Sequence, residues 1–282
     1  MLSTYLSFIR FSHSVFALPF ALTGALLAAR RQPTSWVQVG WIVVAMVAAR
    51  SAAMGFNRLV DAEYDGRNPR TAMREIPRGL ISRPSAALFV AVSAAIFVGA
   101  AAQLGWICLA LSPVALGIVF WYSLAKRYTA YTQAFLGLAM AVAPVGGWLA
   151  AGGPIDASEP WLLGLAIGLW VGGFDVLYAC QDLEFDRAHG LQSIPTRFGV
   201  PRSLTISRAM HVVTVVVMAI LGQVSSLGPV YLIGVGLVAL LLIYEQSLVS
   251  ATDLSQVKRA FDLNGYVGIL YLLVLAVSIY VA

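Results

Sequence analysis

The chain is a succession of long apolar runs separated by short polar ones. Nine runs each approach the roughly 17–25 residues that a bilayer's hydrocarbon core demands of a helix. They fall near 12–30, 36–58, 84–102, 105–123, 131–151, 161–182, 205–223, 228–248 and 262–281. Prolines inside them, such as Pro113 and Pro144, are compatible with spanning helices where neighbouring helices satisfy the freed backbone groups. The first run lacks a small-residue cleavage site and is followed at once by further runs, so it reads as a span and not as a signal peptide. The pattern predicts an all-α polytopic membrane protein, a single transmembrane domain over residues 1–282. Two polar loops, near 59–83 and 183–204, are expected to cap it.

Composition agrees. The 282 residues are 60% hydrophobic and 11% charged, against about a quarter charged in a soluble domain. The net charge of +5 is a topology signal, because the basic residues cluster. The second-to-third loop and its borders hold Arg58, Arg67, Arg70, Arg74, Arg78 and Arg83. Lys126 and Arg127 follow span four. Arg187, Arg197, Arg202 and Arg208 follow span six, and Lys258 and Arg259 precede span nine. With Arg10 these are fifteen of the eighteen Lys and Arg residues, and the alternate loops between spans three and four, five and six, and seven and eight have none. The positive-inside rule then places the N-terminus and the basic loops in the cytoplasm. Arg30 and Arg31 dissent, lying at the other end of span one. No nucleic-acid partner is implied. Cys108 and Cys180, and His13, His189 and His211, have no metal-ligand or disulfide spacing.

The candidate chemistry sits where two spans meet the polar loops. In "NRLVDAEYDGRNPRT" (57–71), Asn57, Asp61 and Asp65 recur every four residues. On a helix each such step advances about 400°, so the three project within roughly 80° of one another. Asp182 and Asp186 repeat the spacing after span six, and Asp175 lies about two turns before Asp182. If spans two and six face each other, two carboxylate ridges share one cavity. Carboxylates at such range need a cation. An oxygen-only donor set favours Mg²⁺, which is typically held by one or two carboxylates plus substrate phosphates. The arginines that follow both ridges suit phosphate oxygens. The spacing therefore points to a lipid diphosphate, head at the rim and tail in the membrane. The plainer readings are solvated helix-end acids, or a transporter with cation-coupled acids.

At these residues the chain resembles the UbiA superfamily of intramembrane aromatic prenyltransferases. The paired motifs N-x-x-x-D-x-x-x-D and D-x-x-x-D carry the resemblance. "PRTAMREIPRG", "WYSLAKRYTAYTQAFLG" and "YACQDLEFDRAHGLQSIPTRFG" extend it over nearly the whole chain. The resemblance implies nine helices around a central cavity, with the acid loops capping it. It implies that Asn57, Asp61 and Asp65 hold one Mg²⁺, and Asp182 and Asp186 a second. Arg70, Lys126 and Arg127 match positions that contact diphosphate, and Arg10 matches a basic position near the cavity. The family often carries a lysine about three residues further on, where this chain has His13. Tyr122 and Ser123 match pocket-lining positions, and Asp175 an acid near the acceptor. Arg197 joins the substrate-binding set.

Arg50 matches no family motif. It lies mid-span, seven residues before Asn57 and so near the same face. An arginine at that depth tends to face a cavity, as partner to an acceptor carboxylate or to the acid ridge. A structural ion pair or a snorkelling side chain is the plainer reading. Glu245 and Asp262 read as solvated rim acids, and Trp and Tyr near span ends as interfacial anchors.

The expected reaction is transfer of a polyprenyl group from its diphosphate to an aromatic carboxylate, 4-hydroxybenzoate or a dihydroxynaphthoate, on a route to a respiratory quinone. "RFSHSVFALPFALTGALLA" and "YACQDLEFDR" most resemble the branch labelled 4-hydroxybenzoate polyprenyltransferase, part of which serves the futalosine route to menaquinone, and the reading leans slightly to the naphthoate acceptor of that route. A CDP-alcohol phosphotransferase is the other rival, but "DGRNPR" lacks the Ala-Arg which that class needs.

Overall fold

The computed structural model describes residues 2–9 and 11–281. These are helical or in turns, with no strand among them. In chain order the helices are α1 (Leu2–Phe8), α2 (Phe11–Ala29), α3 (Trp36–Val60), α4 (Ala62–Arg67), α5 (Arg83–Leu104) and α6 (Trp106–Ala125). Then come α7 (Thr132–Ala150), α8 (Glu159–Ala179), α9 (Leu183–Ala188), α10 (Ile194–Val224), α11 (Gly228–Ser247) and α12 (Val257–Val281). Among the described residues eight helices are long and apolar enough to cross a membrane, α8 continuing through α9 in that count. The expected first span coincides with α2, of which Leu18–Ala29 forms a shorter apolar helix. The protein is a multi-pass membrane protein, and Leu88, Ile233, Leu240, Ile243 and Leu273 are exposed on its span helices.

Local chemistry explains most boundaries. Ser35 caps α3 and Gln38 bonds back to the Ser35 amide, a reciprocal capping box. Ser82 caps α5, with Pro84 in its first turn. Helix α10 starts well before the expected span because Ser193 and Thr196 form a second capping box in the loop. That first turn ends at Gly199, whose φ of 76° suits glycine, and the span proper resumes at Pro201.

The chain divides into two compact units. One contains Met1–Leu18 and Ser35–Leu124, the other Pro19–Thr34 and Ala125–Ala282. In the first, α3 lies along α5. Phe8 of α1 and Ile9 just after it share a core with Ile81 and Ala86, and Tyr5 stacks on Phe89 with centroids 5.4 Å apart. This apolar nut fastens the 68–82 loop, and so whatever that loop carries, to the helix ends.

In the second unit α8 is the axis, packed by α7, α10 and α12. Trp170 is fully buried and its Nε1 donates to Asn264 Oδ1 at 2.6 Å, while Tyr231 and Tyr271 share a hydroxyl bond of 2.7 Å. Trp170 and Tyr271 lie mid-span, and of the three only Tyr231, near a span end, departs from the expected interfacial anchor. Their polar tips find partners inside the helix pack. Trp36, Trp106 and Tyr280, by contrast, are exposed at helix ends as expected.

Helices α7 and α8 cross at glycine. A Cβ on Gly137 would lie 2.2 Å from the Gly168 carbonyl oxygen, and one on Gly147 2.0 Å from that of Ala21. Small residues permit such approach, which drives helix association in lipid. Gly137→Ala is expected to cost about 1–3 kcal/mol, the usual range for overpacking. Gly146→Ala, with open space around it, is expected to be neutral or slightly stabilising. Thermal melts of the purified variants in detergent compare the two.

Candidate active site

The first acid segment is a helix that breaks and restarts. Helix α3 ends at Asp61, whose φ of −90° and ψ of 0° leave the helical region, and α4 begins at the next residue. The i-to-i+4 ladder survives the break, from the Asp61 amide to the Asn57 carbonyl at 3.0 Å and from the Asp65 amide to the Asp61 carbonyl at 2.8 Å. The expected stacking therefore holds. Asn57 Nδ2 donates to Asp61 Oδ2 at 3.4 Å. Both aspartates are buried, at 3% and 6% exposure.

What occupies Asp65 was not foreseen. Arg74 Nη1 reaches both carboxylate oxygens, at 2.7 and 2.8 Å. The loop folds back to allow this: Asn68 Oδ1 accepts from the Arg70 amide at 2.9 Å, an Asx turn, and Thr71 Oγ1 donates to the Asp65 carbonyl. Arg70 itself is exposed at the turn. One residue past Arg74, Glu75 accepts from Ser7 Oγ at 2.6 Å and lies 3.4 Å from Arg58, both members of that ion pair being buried. The partners lie nine residues apart (Asp65 and Arg74) and seventeen apart (Arg58 and Glu75), across a loop, so helical spacing could not reveal them. The sequence signal was only the adjacent opposite charges of Arg74 and Glu75.

Deeper in this unit, Arg50 is half-buried on α3 and feels the Tyr122 hydroxyl of α6 electrostatically. Its Nε, and the Oγ of Ser123, are buried without hydrogen-bond partners among the described residues. Arg50 also has no ion pair among the described residues, and its buried Nε is a polar atom that calls for a partner.

The second unit repeats the device. Helix α8 gives way to a 3₁₀ turn over Cys180–Asp182, and α9 follows. Asp182 has φ −96° and ψ 5°, almost the angles of Asp61. Both breaks lead into a six-residue helix, Ala62–Arg67 or Leu183–Ala188, with two acids in its first turn and an arginine in its last. "DAEYD" and "DLEFD" are the same local structure built twice. The break shifts the register expected between Asp175 and Asp182. Asp175, half-buried on α8, still feels the Asp182 carboxylate. Asp182 and Asp186 are half-exposed.

This unit also holds the Lys126–Arg127 turn. The Gln192 amide donates to the Lys126 carbonyl at 2.7 Å, and the Ile194 amide to Gln133 Oε1 at 3.1 Å. The turn is thus stitched to the loop after Asp186. Arg197 is exposed and lies over the rings of Tyr131 and Phe198, each 5.4 Å away. Arg10 lies outside the described residues. Of the rim acids, Asp262 is exposed and pairs with Lys258 at 2.9 Å. Glu245 corrects the expectation: at 1% exposure it is enclosed between helices, with Asn264 as a polar neighbour.

Among the described residues no three His, Cys, Asp or Glu side chains converge at metal-binding range. Each segment instead offers a pair of carboxylates, the first with a side-chain amide beside it. Mg²⁺ commonly takes one or two carboxylates and draws its other oxygens from phosphate and water. The donors fit a metal–diphosphate pair better than a cage made by protein alone.

Comparison with known proteins gives these segments a context. The family model of the UbiA prenyltransferases matches residues 17–275. The 4-hydroxybenzoate octaprenyltransferase of Vibrio parahaemolyticus is 31% identical over 261 residues, 92% of this chain and 89% of that protein. Its counterpart from Citrobacter koseri is 31% identical over 247 residues, 84% of this chain and 83% of its own. Among solved structures, the apo UbiA homolog from Aeropyrum pernix K1 superposes with a TM-score of 0.85 at 36% identity, covering 96% of this chain and 98% of that one. A UbiA homolog from Archaeoglobus fulgidus, bound to GPP and Mg²⁺, has the same fold, with a TM-score of 0.75 at 18% identity over 98% of this chain and 99% of that one. With a family model covering most of its length, and relatives alike from end to end, this chain belongs to the UbiA prenyltransferase family.

Proposed function

We propose that this protein transfers a polyprenyl group from polyprenyl diphosphate to an electron-rich aromatic carboxylate, a step in respiratory quinone synthesis. The observation that carries the reading is the twin acid segment, "DAEYD" and "DLEFD", each on a broken helix with basic residues close behind. Membership of an aromatic prenyltransferase family supports it. Asn57, Asp61 and Asp65 are assigned to one Mg²⁺, Asp182 and Asp186 to a second. When bound, Mg²⁺ would supply positive charge to the diphosphate as it leaves.

The chain's own residues do the rest. Arg70, Lys126 and Arg127 contact the diphosphate oxygens, whose charge grows as the allylic C–O bond breaks and the electron pair leaves with the diphosphate. Arg10 and Arg197 add positive charge toward the same group, and Tyr122 and Ser123 line the pocket. The allylic cation is attacked by a ring carbon of the acceptor, a C–C bond forms, and the ring proton is lost to a base. Asp175 orients the acceptor or takes that proton. Arg50 binds the acceptor's carboxylate, a role its orphaned buried Nε supports. The N-terminus and the acid loops face the cytoplasm of the inner membrane, as the basic loops indicate. The relatives named for 4-hydroxybenzoate make that acceptor the first to test, with dihydroxynaphthoate second.

The experiment combines purified protein, Mg²⁺, a polyprenyl diphosphate and a panel of aromatic acids. Metal-dependent prenylated product with stoichiometric diphosphate release is expected, and chelation by EDTA abolishes it. Binding of substrate with neither product nor diphosphate release across the panel points to a transporter instead. Arg50→Gln is expected to raise the acceptor KM roughly 10–150-fold, the worth of a hydrogen bond to a charged group. The KM for the prenyl diphosphate should stay within about twofold. An unchanged acceptor KM removes Arg50 from the site.

A further inference from the structure

The second unit has a cavity of about 300 Å³ far from the acids. It lies where the C-terminal ends of α2, α7 and α10 meet the N-terminal end of α8, so α8 separates it from Asp182 by its whole length. Its walls include Arg30 and Arg31, the two arginines that oppose the basic-loop pattern.

Each arginine already has one structural bond. Arg30 donates to the Ser225 carbonyl, and Arg31 pairs with Glu159 while lying 5.5 Å from the centre of the Trp148 ring. These bonds tie the ends of α2, α8 and α10 together, and that is the plain reason for the residues. It does not account for the remaining donors. A guanidinium carries five N–H groups, and Arg31 keeps half its side chain exposed. Ser225 also lines the cavity, and its hydroxyl, buried just behind that wall in a residue only 7% exposed, has no hydrogen-bond partner. A buried hydroxyl without a partner costs about 1–3 kcal/mol, so its presence calls for an acceptor.

The polar part of the lining is therefore rich in donors, with one acid already engaged by Arg31. Two arginines against one glutamate leave a net single positive charge. An oxyanion of single negative charge fits that balance. The walls also carry Leu27 and Val224, Val224 being half exposed. A donor-lined floor with an apolar side suits an amphiphile. The volume is at the low end of ligand pockets, roughly 300–1,000 Å³, enough for a headgroup but not for a whole lipid.

We propose that this pocket seats the phosphodiester of an anionic phospholipid, at the membrane face opposite the acid loops. The acyl chains would run down past Val224, and Arg30, Arg31 and the Ser225 hydroxyl would hold the phosphate oxygens. The shared chemistry is a phosphate oxyanion, so a free phosphate ion is the competing source.

Binding of phosphatidylglycerol to the full-length purified protein tests this, by native mass spectrometry and by thermal shift. Phosphatidylcholine and inorganic phosphate serve as the other probes. Wild-type protein is expected to bind phosphatidylglycerol saturably, at least about tenfold more tightly than phosphatidylcholine, as one charge-assisted contact would give. Arg30→Gln/Arg31→Gln should abolish that preference while prenyl transfer in phosphatidylcholine vesicles stays unchanged. Ser225→Ala keeps the Arg31–Glu159 pair and the Ser225 carbonyl, and should weaken phosphatidylglycerol binding roughly 2–12-fold, the worth of one hydrogen bond. If the double variant does not fold, the serine variant decides. Equal affinity of wild-type and Ser225→Ala protein for phosphatidylglycerol would overturn the proposal. So would protection by inorganic phosphate as strong as that by the lipid.

Discussion

Asp61→Asn and Asp182→Asn are each expected to lower kcat by about 10²–10³-fold, the loss typical when one preorganised charge-stabilising group is removed. Asparagine keeps the shape and removes the charge, so the broken helices should persist and the circular dichroism should not change. The double variant is the sharper measurement. If both acid sets stabilise one departing diphosphate, the second substitution adds little to the first, because residues acting as a unit are strongly non-additive. Losses that multiply would mean that the two sets act in separate steps. Either single variant at wild-type rate, at subsaturating Mg²⁺, would remove that acid from the metal set.

The largest expected effect on stability is at a residue outside the proposed chemistry. Arg58→Leu leaves the Glu75 carboxylate buried, with side-chain exposures in this pair of 5% and 10%. Breaking a buried pair from one side costs about 3–5 kcal/mol. The acid loop that Glu75 anchors through Ser7 would loosen with it. Arg58→Leu/Glu75→Leu should recover much of the loss, since replacing both members of a buried pair by apolar groups is often neutral. Denaturant or thermal unfolding in detergent measures this. A double variant as unstable as the single one would show that the charges, and not the uncompensated one, hold the loop.

The spans were legible because a bilayer imposes a length on them, and α5, α6, α7 and α11 fall within a few residues of their apolar runs. The acid ridges were legible because a period of four survives the break at Asp61 in the i-to-i+4 ladder. The break itself was not, since no glycine or proline marks either Asp61 or Asp182. Contacts made by loop closure were equally hidden. Arg74 reaches Asp65 because an Asx turn at Asn68 reverses the chain, and a turn of that kind sets no sequence period. Glu245 was misjudged for a related reason. A position near a helix end indicates water only if no neighbour covers it, and the enclosure around Glu245 depends on which helices pack there.

The clasp of Arg74 on Asp65 has one more consequence. Both oxygens of Asp65 are taken by the Arg74 guanidinium. Arg74 thus supplies Asp65 with a counter-ion from within the chain. The same clasp sets a toll on loading. A metal that takes Asp65 must find the molecules in which Arg74 has let go, and its apparent affinity falls by that fraction.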